Sequence, residues 1–324
     1  MTARPGDFLR ATYYRWATLF PIHCTEAARA PTVLALGDVH IENFGTWQDA
    51  EGRLVFGAND FDEVARLPWT NDLIRLATSA RVARATGDLR LRNADIAAVI
   101  LEGYRESLEL GGEPQLLDER RLDLRRIATH RLADPADFWA RATRFRIDRA
   151  QVPPDARRAI EAVFPKPRTQ LQWFRRVSGV GSLGRPRVLA IGRWRGGRAA
   201  REAKAIIPSP AASHGSRTAQ AKAITELLRI AVRSPDPFIS IKGTWVVRRL
   251  TPDTSRIRLA DLPSDRDDGT LLKAMGFELA NFHLGSRTAG ALKSDLKKLE
   301  SKWLLRASSA MHDQVLADWE EWRA

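Results

Sequence analysis

"LALGDVHIENFGTW", residues 34–47, puts an aspartate, a histidine, a glutamate and an asparagine into six positions behind a short apolar run. An apolar run that opens into a polar loop is how a strand end presents reactive side chains on a rigid support. Asp38 and Asn43 stand five residues apart on that loop. A second strand, "GRLVFGAND", follows after a polar turn holding Asp49 and Gly52, and it ends in "NDFDE", residues 59–63, with Asp60 and Asp62. One carboxylate able to take a proton, with an amide and further carboxylates able to ligate magnesium, is a phosphoryl-transfer set. Mg²⁺ takes oxygen ligands and keeps several waters, so one or two protein groups suffice. In kinases the catalytic loop likewise carries Asp with Asn at the fifth position after it, and a later Asp supplies the other metal ligand.

"LGDVH" also fits the opening of a two-metal phosphoesterase site, which needs further histidines to hold its second metal. The six histidines stand at 23, 40, 130, 214, 283 and 312; none follows an Asn and none forms His-x-His. The metallophosphoesterase reading therefore ranks behind phosphoryl transfer, and His40 can equally brace the loop.

Composition sets wider bounds. The 324 residues are 44% hydrophobic and 28% charged, ordinary values for a globular chain that buries a sizeable core. No 18-residue apolar run occurs, so no membrane span is expected, and the N-terminal stretch lacks the apolar centre of a signal peptide. Cys24 is the single cysteine, which excludes an internal disulfide and suits a reducing, cytoplasmic setting. The net charge of +13 rests on 43 Arg against 9 Lys, scattered along the chain. No basic block resembles a nucleic-acid-binding arm, so nucleic acid is not the expected partner.

Downstream, the pattern changes. Helical spacing covers 7–20, 71–86 (with Thr70 or Asn71 as cap), 92–111, 116–129, 134–147 and 154–163; "FPKP" then marks a boundary near 165. Residues 168–252 are strand-rich around one helix, 218–233, before helices resume at 271–284 and 293–323. "GVGSLG", residues 179–184, matches G-x-G-x-x-G, but strand follows it where a dinucleotide fold requires a helix. A glycine turn between strands suits a loop covering nucleotide phosphates, through Gly179, Gly181, Ser182 and Gly184; an ordinary hairpin turn is the alternative. Lys204, in "REAKAII" 20 residues beyond Gly184, is placed to pair with the α- and β-phosphates, a surface strand lysine being the alternative. Glu226, the only acid in the following helix, is the expected carboxylate partner of Lys204; Glu202, on the same strand face, is the rival.

With these motifs assembled, the chain resembles the bacterial family catalogued as domain of unknown function 2252 and, more distantly, aminoglycoside and choline-type phosphotransferases. "GDVHIENFG", "NDFDE", "WTNDLIRLATS", "GVGSLG", "REAKAIIPS", "WVVRRLTPD" and "LGS" after "FELANFH" carry the resemblance over roughly residues 30–290. The related phosphotransferases have His-Gly-Asp-x-His-x-x-Asn at the catalytic loop; here Leu36 replaces the first His. The resemblance implies an α+β, protein-kinase-like, two-lobed fold that is circularly permuted, because the Asp38 and Asp60 segments precede the glycine loop and Lys204. Residues 1–165 would form the helical lobe with the catalytic and metal loops, 166–252 the small β-rich nucleotide lobe, and 253–324 the hinge and remaining helices. In that arrangement Asp38 orients or deprotonates an acceptor hydroxyl, Asn43 and Asp60 hold Mg²⁺, Asp62 either ligates it too or braces the turn, and Lys204 clamps ATP phosphates. Helix 218–233 would pack behind the sheet, and Asp72 would anchor the catalytic loop, a helix-start acid favoured by the dipole being the equal alternative. The expected partners are a nucleotide and an unidentified small-molecule or protein acceptor. A pseudokinase-type module that binds nucleotide without turnover is the alternative.

Overall fold

The computed structural model describes residues 4–119, 124–126, 134–176, 185–213, 215–252 and 267–324, a mixed α+β chain. The glycine run 179–184, with Gly179, Gly181, Ser182 and Gly184, lies outside the described residues.

At the N-terminus, the expected helix 7–20 is two helices, α1 (Pro5–Ala11) and α2 (Tyr13–His23), broken at Thr12. Strand β1 (Thr32–Ala35) carries the chain to Gly37 and pairs antiparallel with β4 (Ala65–Pro68). Between them β2 (Phe44–Gln48) and β3 (Leu54–Ala58) form an antiparallel hairpin around the Asp49–Gly52 turn. Phe44 opposes Ala58 in this hairpin, so the loop ending at Asn43 and the turn beginning at Asn59 emerge at the same end. A backbone bond from Asn59 N–H to Asn43 C=O, 2.9 Å, ties them. The expected helix from 116 is met by strand at its start, because β5 (Gln115–Leu116) pairs with β3.

Helix α3 (Thr70–Ala85) is buried at every position from Thr70 to Val82, so it forms the centre of this half of the molecule. Neither Thr70 nor Asn71 caps it: Thr70 Oγ1 donates to Ala27 C=O, and Asn71 turns to the Gly37 loop. Around α3 pack α4 (Asn93–Leu110), α8 (Asp268–Leu284) and α10 (Trp303–Arg323). The contact of α4 with α8 brings backbones together: a Cβ at Gly103 would stand 1.8 Å from the Lys273 carbonyl oxygen, which only glycine permits.

The second sheet has six antiparallel strands in the order β10-β11-β9-β8-β7-β6: Ile239–Lys242, Trp245–Arg249, Gly197–Ala205, Arg187–Trp194, Gln172–Arg175 and Arg146–Ile147. Alternation gives it two faces. Trp173, Val188, Ala190, Ala203, Trp245 and Val247 bury against α6 (Pro154–Val163), whose Ala156, Ala159 and Ile160 form the matching apolar stripe. On the other face, Phe174, Leu189, Ile191 and Ala200 pack with Phe138 and Trp139 of α5 (Pro135–Ala142). This β-rich unit thus takes in α5, β6 and α6, upstream of the expected boundary at 166. The helix behind the sheet is α6. Helix α7 (Arg217–Ile230), expected in that place, instead buries Ala221, Ile224 and Leu227 in the core of the helical half. Helix α9 (Ala289–Lys298) lies between α8 and α10 in sequence.

Among the described residues, no helix is long and apolar enough to cross a membrane.

Candidate functional site

Gly37 turns the chain out of β1 with φ +80°, and a Cβ there would lie 2.3 Å from the Glu63 carbonyl oxygen. Glycine is therefore required where the loop begins. Asp72, fully buried in the first turn of α3, holds the loop from beneath. Its carboxylate accepts from the backbone N–H groups of Leu36 (2.8 Å) and Gly37 (3.0 Å) and from Asn71 Nδ2 (3.1 Å). His283 Nε2 on α8 lies 3.3 Å from the same carboxylate. A carboxylate only accepts, so Nε2 carries the proton, and Nδ1 accepts from the Tyr104 hydroxyl at 2.9 Å. Asp72 is thus both a helix-start acid and the anchor of the Asp38 loop.

Asp38 projects from this support into a partly open position. Arg75 grips one of its oxygens through Nε (3.0 Å) and Nη2 (2.6 Å), while Nη2 also donates to Leu9 C=O at 2.7 Å. The guanidinium lies over the rings of Tyr13 and Trp16. Burial raises the Asp38 pKa from its ordinary value, and Arg75 opposes that rise. A carboxylate held in place with its basicity raised is suited to accept a proton. Asn43 reaches back, its Nδ2 donating to the Asp38 backbone carbonyl. Arg75, Tyr13 and His283 were not singled out in the sequence. Helical phase places Arg75 on the face of Asn71 and Asp72, but a lone arginine in an arginine-rich chain carries no signal.

Across from this loop stands the turn after β3. Lys204, on β9 of the six-stranded sheet, places Nζ 3.0 Å from Asp60 Oδ1, although 144 positions separate them. Lys204 also pairs with Asp62, and Arg185 pairs with Asp62 (2.8 Å) and with Glu63. Gln220 of α7 adds hydrogen bonds to the backbone carbonyls of Asp62 (3.0 Å) and Val64 (2.9 Å). The Lys204 side chain is 7% exposed, against 19% for Asp60 and 14% for Asp62, so the cluster is mostly shielded from water. Burial pushes the Glu63 pKa up to about 7, against the pull of Arg185. The Asp60 charge contributes to the rise at Asp38, an electrostatic link between the two loops.

The expected partners of Lys204 are displaced. Glu226 is half exposed on α7 and pairs with Arg66 at 3.6 Å, because α7 packs away from the sheet. Glu202 shares the Lys204 face, as the alternation requires, but is held by Arg176 (2.9 Å), Arg248 (2.9 Å) and Arg187 (3.5 Å). The strand-end aspartates take the role assigned to a helix glutamate.

Among the described residues, no group of three or more His, Cys, Asp or Glu side chains is arranged to hold a metal ion. Two of the histidines have partners elsewhere: His283 is engaged with Asp72 and Tyr104, and His312 with Asp313. The oxygen donors of Asn43, Asp60 and Asp62 suit a hard cation that keeps water and substrate oxygens as its other ligands.

Residues 1–152 match the model of a family described as an uncharacterized protein conserved in bacteria (DUF2252). No curated protein and no solved structure matches the chain. The matched segment carries Asp38, Asn43, Asp60, Asp62 and Asp72, and ends before Lys204.

Proposed function

We propose that the chain is an ATP- and magnesium-dependent phosphotransferase acting on a hydroxyl acceptor, with its parts disposed as in a circularly permuted protein-kinase-like fold. The observation that carries this reading is the meeting of Lys204 with Asp60 across 144 positions, at the hairpin end from which Asn43 also emerges. Phosphoryl transfer asks little covalent chemistry of a protein; it asks for positioned charge and a placed acceptor. Lys204 offers a compact cation to the donor's phosphates. Asp38, fixed by Arg75 and by the Asp72-anchored loop, orients the acceptor hydroxyl and takes its proton. Asn43, Asp60 and Asp62 would hold Mg²⁺, which when bound would neutralise charge on the phosphates.

The pairing of Lys204 with Asp60 and Asp62 fits this reading. The cation proposed for phosphate and the carboxylates proposed for metal satisfy one another, so neither is left as an uncompensated buried charge. Mg·ATP should therefore raise the melting temperature, and at 100-fold excess over its Kd the stabilisation is about 2.7 kcal/mol. Asp60→Ala should abolish the magnesium-dependent part of that shift, and an unchanged shift would remove Asp60 from the metal site.

A further inference from the structure

The face of the six-stranded sheet that carries Lys204 holds more positive charge than its structure needs. Glu202 is fully buried there and faces three guanidiniums, those of Arg176, Arg187 and Arg248. The strand register explains the grouping: Arg187 opposes Lys204, and Glu202 opposes Arg248, so these four side chains share one face. A single bidentate arginine would satisfy a buried carboxylate. Here Arg248 Nε takes Oε2 and Arg176 Nη1 takes Oε1, which leaves Arg187 in surplus. Its side chain is 1% exposed, and its Nε and Nη1 find no hydrogen-bond acceptor among the described residues. Unpaired buried donors and uncompensated charge are costly, so such an arrangement calls for a further anion. Burial, together with the neighbouring guanidiniums of Arg248 and Arg187, holds Arg176 below its ordinary pKa. Arg176 and Arg248 remain 26% and 19% exposed, so both can still be reached by a ligand. Arg248 also senses the charges of Asp60 and Asp62, which places it near the Lys204 cluster.

We propose that Arg176 and Arg248, backed by the buried charge of Arg187, form a phosphate subsite beside Lys204 that holds the polyphosphate chain of the donor. Guanidinium forks match phosphate oxygens in pairs, which a lysine cannot do. Glu202 is the spacer that keeps the three guanidiniums together until phosphate arrives. This inference rests on the Lys204–Asp60 cluster being the donor site, and it adds to Lys204 the side chains that grip the chain of phosphates.

The full chain, R176Q, R248Q and the double variant are titrated with inorganic pyrophosphate without metal and, separately, with ATP and Mg²⁺; R158Q, altered at an exposed arginine, is the control. Wild type and R158Q should bind pyrophosphate alike, and R176Q and R248Q should each weaken it by about tenfold, the worth of one charge-assisted hydrogen bond. Pyrophosphate bound equally by the wild type and a folded double variant overturns the subsite. Should the variants fail to fold, dicarbonyl labelling of the wild type decides: pyrophosphate must slow modification of Arg176 and Arg248 and leave Arg158 unchanged, and equal rates overturn the proposal. Pyrophosphate binding that depends on these arginines, without any ATP binding, supports the subsite and defeats the nucleotide reading. ATP binding indifferent to both arginines defeats the subsite and spares the nucleotide reading.

Discussion

Replacing Asp72 by asparagine changes one oxygen to an amide nitrogen in a site with no exposure to water. The carboxylate now accepts from Leu36 N–H, Gly37 N–H, Asn71 Nδ2 and His283 Nε2. An asparagine retains one accepting oxygen, so its NH₂ must face donors that cannot receive it. Two hydrogen bonds to a charged acceptor are lost or opposed, each worth about 1.5–3 kcal/mol, for a total near 3–6 kcal/mol. With an unfolding entropy of about 2.1 cal/mol/K per residue, a chain of this length loses about 1.5 °C per kcal/mol, so Tm should fall by about 4–9 °C. Urea unfolding followed by tryptophan fluorescence reads the free energy. Trp16, whose Nε1 donates to Asn71 at 3.0 Å, reports from beside the altered residue. A loss below about 1 kcal/mol, within the range of ordinary substitutions, would refute Asp72 as the anchor of the Asp38 loop.

Other outcomes follow from the same geometry. Gly37→Ala forces a side chain onto a φ of +80° and against the Glu63 carbonyl, and should cost about 2–4 kcal/mol in the same assay; a neutral result would mean the loop can move aside. Glu278, buried under Ala58, is pushed up to about 7 from 4.5 by burial, with Arg233 opposing. Its folded-state pKa exceeds the unfolded one, so the native protein keeps a proton that the unfolded chain releases. Its contribution is therefore complete below pH 4.5 and is lost as pH rises through about 7. Glu278→Gln should flatten that decline and gain stability at pH 8 relative to wild type; an unaltered pH profile would show that Glu278 titrates normally.

How much of this was legible in the sequence depended on whether the signal was local. The helix at 154–163 follows from hydrophobic spacing, and Gly37-Asp38 follows from an apolar run meeting a polar loop. The approach of Lys204 to Asp60 was readable only through motif order. Glu226 failed because its helix has an apolar stripe that fits either half of the molecule, and spacing says nothing about which core receives it. The Glu202 pairing failed for a related reason: alternation fixes the face, but arginines on three other segments compete for the carboxylate. Residues 44–48 were unmarked because β2 is buried on nearly all sides and shows no alternation. Arg75 holds Asp38, and His283 holds Asp72 beneath the loop, through tertiary contacts that leave no trace in any short window.

The central claim, phosphate transfer from Mg·ATP with Asp38 as the proton-accepting group, is tested most directly by comparing wild type with Asp38→Asn in parallel ATP titrations and ATP-turnover assays. The asparagine retains an oxygen for Arg75 and so preserves most of the support. Positioning and proton acceptance act in the transition state, so ATP affinity should stay within about threefold of wild type while turnover falls at least tenfold. Turnover undiminished in a folded Asp38→Asn variant, or no saturable ATP binding by the wild type, would contradict the account.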